Sequence, residues 1–456
     1  MILGRTLELK YLNNCYEKDG SQILVVYGER NVGKTALLFE FVKEKPYYYY
    51  YYYYKVRSAS DREQRFLWGR ELTRQNKKVK EFPTYTELFE CMMEGAGEKG
   101  LILIDEFQSI VKNSDEFMEE LTSFVQNSHQ KLMVVLCSSS PCFVENNLID
   151  RIGEMAYHLS GFFKIKELDF EVMQEFFPEY SKEQCMTSYA VLGGLPGLWK
   201  CFEKDLTIKE NICRHILRED SLLFQEGKRI MEEELRETGV YNSILAVIAQ
   251  GHHKLNELYL HTGFSRAKIS VYLKNLMELE LVEKVYSFDQ EGIEGTQKGI
   301  YQITNHFVNF YFTFLYPNLS SLEMMGAEEF YDQFIAPFLM KYARESFGSV
   351  CRQAVSKWNR QGELPFSVGR VSRWVGKMGN IDVIAQNEDG RTLIGICSYE
   401  RAAMPFEDYE WLLFCAKKAR IRTDFIYLFS LGRFDEKLQL EARIKKNLKL
   451  VCLDEM

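Results

Sequence analysis

The sequence lacks a long apolar run, a paired-cysteine motif, a histidine cluster and an excess of basic charge, and each absence removes a class of function. No stretch approaches the ~18–20 consecutive apolar residues of a membrane-spanning helix, so no membrane partner is expected. Met1 leads straight into residues that read as structured, so a signal peptide is not expected either. The 11 cysteines are scattered, odd in number and never spaced Cys-x-x-Cys. That usage fits reduced, mostly buried thiols of a cytoplasmic protein. The 7 histidines show no metal-ligand spacing, and adjacent His252 and His253 read as a surface turn. Formal net charge is −8, so any contact with nucleic acid must come from a local basic patch. What is present is a globular composition, 46% hydrophobic and 27% charged, in 456 residues. That length accommodates about three domains with real cores.

The strongest signal is Gly28-Glu29-Arg30-Asn31-Val32-Gly33-Lys34-Thr35, which fills every fixed position of the phosphate-binding loop G-x-x-x-x-G-K-[ST]. Its flanks suit the motif. Ile23–Tyr27 reads as a buried strand and Thr35–Val42, with Ala36 in its first turn, as a helix. Backbone N–H groups of such a loop and of the helix N-terminus cradle phosphate oxygens. Lys34 is expected on the β- and γ-phosphates and the Thr35 hydroxyl on Mg²⁺. Downstream, Leu101–Ile104 is an apolar strand ending in Asp105-Glu106. Asp105 there completes the Mg²⁺ shell and Glu106 activates the attacking water. The competing reading is a buried strand capped by two solvated acids. A third strand, Leu132–Leu136, ends in Cys137-Ser138-Ser139-Ser140. Ser139 stands where a side chain could sense the γ-phosphate, although serine-rich strand ends also form turns. ATP and Mg²⁺ are the expected ligands.

The expected fold class is α/β: a P-loop core with a parallel sheet over residues 1–165, a helical lid over 166–236, a winged helix-turn-helix over 237–316 and a further α/β domain over 317–456. Tyr47 to Tyr54 are eight consecutive tyrosines, read as a second strand and alternatively as a base-stacking platform. Ser243–Ala249 and Leu255–His261 read as helices, and Ser265 caps a third over Arg266–Leu279. Leu281–Val285 and Gly299–Ile303 would pair as the wing. Arg266, Lys268 and Lys274 lie on or near the exposed face of the third helix, where they would meet double-stranded DNA. Asp289, Glu291 and Glu294 make the wing more acidic than suits a DNA reader; the alternative is a winged helix used as a lid or for contact with a protein partner, self-association included.

Together, Gly4-Arg5-x-x-Glu8, the phosphate loop, Asp105-Glu106, Ser139 and Gly193-Gly194-Leu195-Pro196 resemble the archaeal-type ATPase family, a branch of the signal-transducing P-loop (STAND) ATPases close to AAA+ proteins. The resemblance covers nearly the whole chain. It implies that Gly4, Arg5, Gly194 and Pro196 surround the adenosine, with the Gly-x-Pro element in a lid that senses nucleotide. Ser138 departs from the family's usual glycine. Arg151 is the candidate arginine finger, or else a surface partner of Asp150.

The last region resembles a PD-(D/E)XK nuclease fold, which needs an acid on one strand and Glu-x-Lys on the next. Asp382 fits the first acid and Glu345 a helix acid, but Ile396 and Ser398 stand in the Glu and Lys positions. Glu400 or Lys377 could substitute from elsewhere. The expectation is a degenerate nuclease site in an ATP-hydrolysing switch protein. The rival readings are an ATP-gated DNA nuclease of a defence or mobile-element system, and an ATP-dependent scaffold that does not hydrolyse.

Overall fold

Ile23–Tyr27 carry no polar alternation, which suits a strand covered on both faces, and in the computed structural model each of these residues is buried. The structure describes residues 2–43, 45–51, 60–95, 97, 99–234, 237–289, 299–376, 379–399 and 403–456. Tyr52–Tyr54, Glu291, Glu294, Lys377 and Glu400 lie outside the described residues. The chain forms two units: Met1–Leu168 with Leu195–Gly197, and Asp169–Gly194 with Leu198–Met456.

The first unit is α/β. Strands β1 (Gln22–Tyr27), β2 (Tyr48–Tyr51), β3 (Lys99–Asp105), β4 (Lys131–Ser138) and β5 (Gly161–Lys164) form one sheet in the order β2-β3-β4-β1-β5. Every pairing is parallel. Parallel strands need crossovers, and helices such as Lys34–Val42, Tyr85–Met93 and Glu116–Asn127 lie between them in sequence. Trp68, Tyr85, Phe89 and Phe117 interlock mainly edge to face in the core on one side. The register decides where function can sit. Tyr27 pairs with Ser138 and Ile104 with Leu136, so β1, β3 and β4 end at one sheet edge. Ligands of open parallel sheets bind at the carboxyl ends of strands.

In the second unit, helices Thr238–Ala249, Leu255–Thr262 and Arg266–Glu278 precede the antiparallel ribbon of β6 (Val282–Val285) and β7 (Ile300–Ile303). The Ser265 side chain accepts from the Lys268 N–H and starts the third helix there. Ile269, Leu273 and Leu276 are its buried stripe. The 26-residue helix Ala336–Gln361 then leads to a mixed sheet. Its strands are β8 (Arg370–Val375), β9 (Asn380–Gln386), β10 (Thr392–Ser398), β12 (Phe425–Ser430) and β14 (Leu448–Cys452), in the order β14-β12-β10-β9-β8. Short strands β11 (Ala403–Met404) and β13 (Arg433–Phe434) pair separately. None of the 11 cysteines is in a disulfide. No helix among the described residues is long and apolar enough to cross a membrane.

Candidate functional site

The phosphate loop is built by close approach. A Cβ on Gly28 would lie 2.3 Å from the Ile165 carbonyl oxygen, so only glycine allows the chain to turn out of β1 here. Asn31 (φ 65°) and Gly33 (φ 97°) bend the loop back into the helix Lys34–Val42. Arg5 is buried beneath it: one guanidinium nitrogen donates to the Val32 carbonyl at 2.8 Å and another to Glu8 at 2.9 Å. Arg5 is thus committed to the shape of the loop, while Gly4 beside it is exposed at φ 64°. Glu29 and Arg30 are half-buried, as is Ala36 in the first helical turn, and Val32 is fully buried. Leu195–Gly197 packs on the same loop. The Gly197 N–H donates to the Asn31 carbonyl at 2.9 Å, and Pro196 Cγ lies 3.3 Å from where a Gly33 Cβ would stand. Gly194 precedes this segment in the chain and belongs to the second unit.

Seven polar side chains converge at the sheet edge: Lys34, Thr35, Tyr49, Asp105, Glu106, Gln108 and Ser139. The Thr35 hydroxyl donates to Asp105 Oδ2 at 2.9 Å, and the Tyr49 hydroxyl donates to the same oxygen at 2.9 Å. Lys34 Nζ is buried and donates to the Gly28 and Glu29 carbonyls at 3.0 and 2.8 Å. Glu106, at φ 55°, accepts from the Ser139 hydroxyl at 2.6 Å and from the Gln108 amide through its Oε2. Buried Gln108 keeps a carbonyl oxygen with no hydrogen-bond partner. Ser138, fully buried, accepts from the Ser140 N–H at 3.1 Å. Burial, then the charge of Asp105, pushes the Cys137 thiol well above its ordinary pKa, so it is a neutral packing group.

Tyr49 and Gln108 escaped the sequence reading. The tyrosine run carried the first signal, since a parallel pairing of β2 with β3 brings an alternate tyrosine toward Asp105. No motif marks Gln108. Arg151 is placed differently from expectation. Its guanidinium pairs with Asp115 at 2.6 Å and donates to the Val111 carbonyl at 3.1 Å, so Asp150 is not its partner.

In the second unit, Arg266 is exposed, donates to Asn256 at 2.6 Å and stacks over Tyr259. Lys268 lies over the Phe264 and Tyr272 rings, and Lys274 faces Glu278 at 3.7 Å. Asp289 of the expected wing is exposed. His253 does not sit in an open turn: its ring contacts the Tyr301 carbonyl at 3.0 Å, and His252 stacks on His261.

Asp382 stands at an irregularity. Between Ile381 and Ile384 the register of β9 against β8 slips by one residue. Such a bulge re-aims a side chain, and Asp382 Oδ2 accepts the Cys397 N–H at 2.9 Å. Burial raises the Asp382 pKa; the Cys397 N–H and then Arg344, Arg352 and Arg373 oppose it. Ile396 packs instead into the apolar cluster with Ile384, Ile394 and Leu428. The expected Ile396 position is therefore corrected: the β10 residue beside Asp382 is Cys397, because the bulge moves Asp382 off the Ile384–Ile394 face. Glu345 is bonded to the Gln302 amide and lies 4.0 Å from Arg373. Among the described residues, no three His, Cys, Asp or Glu side chains gather as a metal site.

Loop, strand end and parallel sheet together make an α/β fold of P-loop type. Residues 3–199 match the family model of an ATPase domain predominantly from Archaea. Residues 311–406 match a second model, of archaeal and bacterial proteins of unknown function. The chain is 28% identical over 409 residues to an uncharacterized protein of Methanocaldococcus jannaschii, covering 86% of this chain and 85% of that one. It is similar in fold to a Walker-type ATPase of Pyrococcus abyssi, with a TM-score of 0.50 and 18% identity, over 68% of this chain and 96% of that one.

Proposed function

We propose that the protein is an ATP-hydrolysing switch whose nucleotide state is passed to a DNA-binding helix. The observation that carries this is the meeting of Thr35 and Asp105 at 2.9 Å beside the glycine-built loop. Two hard oxygens, a hydroxyl and a carboxylate, suit Mg²⁺, and Thr35 and Asp105 would hold it. When bound, the ion neutralises charge on the phosphates. Lys34 leaves the Gly28 and Glu29 carbonyls to bond phosphate oxygens. Glu106 takes the proton of the attacking water, with Ser139 and Gln108 fixing its carboxylate until substrate arrives. Arg5 supports the loop from below, a positioning role in place of the expected adenosine contact. Arg151, engaged with Asp115, is not assigned as a finger. Leu195–Gly197 rests on the loop and continues covalently on both sides into the second unit, so nucleotide-driven movement of the loop pulls on that segment. Exposure and positive charge at Arg266, Lys268 and Lys274 support a contact with DNA phosphates.

Hydrolysis assays test the first half. Lys34→Ala should abolish ATP binding or turnover, whereas Glu106→Gln should bind ATP and lose about 10²–10⁴-fold in kcat. Parent-like turnover by Glu106→Gln would remove Glu106 as the base. For the second half, alanine at Arg266, Lys268 and Lys274 should flatten the salt dependence of duplex affinity by roughly one log–log unit per lost phosphate contact. An unchanged slope would turn the helix into a protein-contact surface.

A further inference from the structure

A cavity of about 530 Å³ in the second unit is walled by the helix Ala336–Gln361, β8 and β9. Its lining carries five lysine and arginine side chains against three carboxylates, the reverse of a chain with 57 basic and 65 acidic residues. Arg344, Arg352 and Arg373 all act on Asp382, the acid turned inward by the bulge. Arg373 is largely buried, and burial together with nearby Arg352 lowers its pKa. Two guanidiniums in a half-buried wall repel each other; Glu345, Glu283 and Asp382 offset part of that cost, and an anion between them relieves the rest. Arg352 donates to the Asp382 main-chain carbonyl at 2.9 Å, and Arg373 to the Gln302 side chain. Both are thereby fixed in place before any ligand arrives. A neighbouring cavity of about 650 Å³ shares the Arg352–Arg373 wall and continues past Phe314, Phe334 and Phe338. The pair of cavities therefore offers a cationic end and an aromatic end.

We infer that this wall receives the phosphate of a nucleotide-sized monoester, gripped by Arg352 and Arg373 without a metal, with the organic part lying toward Phe334 and Phe338. Guanidinium suits this because its planar fork matches two phosphate oxygens at once. The volumes lie in the range of small-molecule pockets. Where a metal-dependent phosphodiesterase would need hard oxygen donors, these arginines supply the positive charge themselves.

The test uses the full chain carrying Lys34→Ala, in EDTA, so that the phosphate loop and Mg²⁺ are silent. AMP and inorganic phosphate are titrated by calorimetry. AMP should bind saturably and more tightly than inorganic phosphate, and Arg352→Gln or Arg373→Gln should weaken it by about tenfold or more. Arg373→Lys, which keeps the charge and loses the fork, should fall between. Arg344→Gln, at an exposed position, should weaken AMP several-fold and serves if the Arg352 or Arg373 substitutions fail to fold. The inference is overturned if AMP gives no binding, or if Arg344→Gln and Arg373→Lys bind it like their parent. It is also overturned if a short DNA duplex binds through these arginines while AMP does not compete.

Discussion

Asp105 and Asp382 each sit on a strand beside a helix-borne partner, yet their surroundings are opposite in kind. Asp105 ends β3 and accepts from the Glu106 N–H at 3.1 Å and from two hydroxyls, Thr35 and Tyr49. Hydroxyls are neutral donors, and one of them can turn its lone pairs toward an arriving cation. Asp382 is answered by a fixed main-chain N–H and stands within the field of three guanidiniums. These are permanent positive charges. A carboxylate among hydroxyls can recruit a divalent ion, whereas one among guanidiniums already has its counter-charge. The chemistry of a strand-borne acid is set less by the acid than by what its neighbours donate.

The widest separation between the two regions should appear in ATP turnover. Asp105→Asn is expected to lower kcat by about 10²–10³-fold, a loss typical of removing a preorganised charge at a phosphoryl-transfer site. Asp382→Asn should leave turnover unchanged. Equal losses in a steady-state assay would break the comparison outright. Plasmid cleavage probes the other side: supercoiled DNA with Mg²⁺ or Mn²⁺ should remain intact, with or without ATP. Nicking that vanishes in Asp382→Ala would mean that Glu400 or Lys377, outside the described residues, has rebuilt a metal site.

Backbone packing sharpens the contrast at an intermediate scale. In Gly28→Ala the new Cβ would meet the Ile165 carbonyl at 2.3 Å, and in Gly395→Ala the Tyr427 carbonyl at 2.8 Å. Both clash with backbone, so both should destabilise by about 1–3 kcal/mol, Gly28→Ala the more. The urea midpoint should fall at unchanged slope, and a reversed order would show the loop to be the softer of the two. The smallest effect concerns Tyr49. Tyr49→Phe removes a donor that competes for Asp105, so the half-saturating Mg²⁺ concentration for ATP turnover should fall, by no more than about tenfold. A rise would make Tyr49 a support of the site rather than a competitor.

Much of the first unit is legible in the residues because its signals are local. The glycines of the loop, the apolar run before it and the acid pair after Leu101–Ile104 each report a backbone requirement or a burial state within a few positions. Ser139 was legible for the same reason, as the polar end of a buried strand. The helices around Ser265 and Ile269 likewise follow from a cap and a period. Ile396 was set beside Asp382 by the Glu-x-Lys spacing of the resemblance, which carries no sign of the slipped residue at Asp382 that changes which face a side chain meets.

Sequence by itself determined the phosphate loop, the α/β character of the first unit and the identity of the acids, since those depend on residue type and short-range spacing. Only the tertiary structure decided the company each acid keeps. It set the Tyr49 phenol on Asp105, Gln108 on Glu106, Arg5 under Val32, Leu195–Gly197 on the loop, and three arginines around Asp382. Most of these contacts join residues far apart in the chain, and the near pair Glu106 and Gln108 meets where Glu106 takes a left-handed conformation. Charge and hydrogen bonding act over a few ångströms of space, which strand order and register control and residue spacing does not.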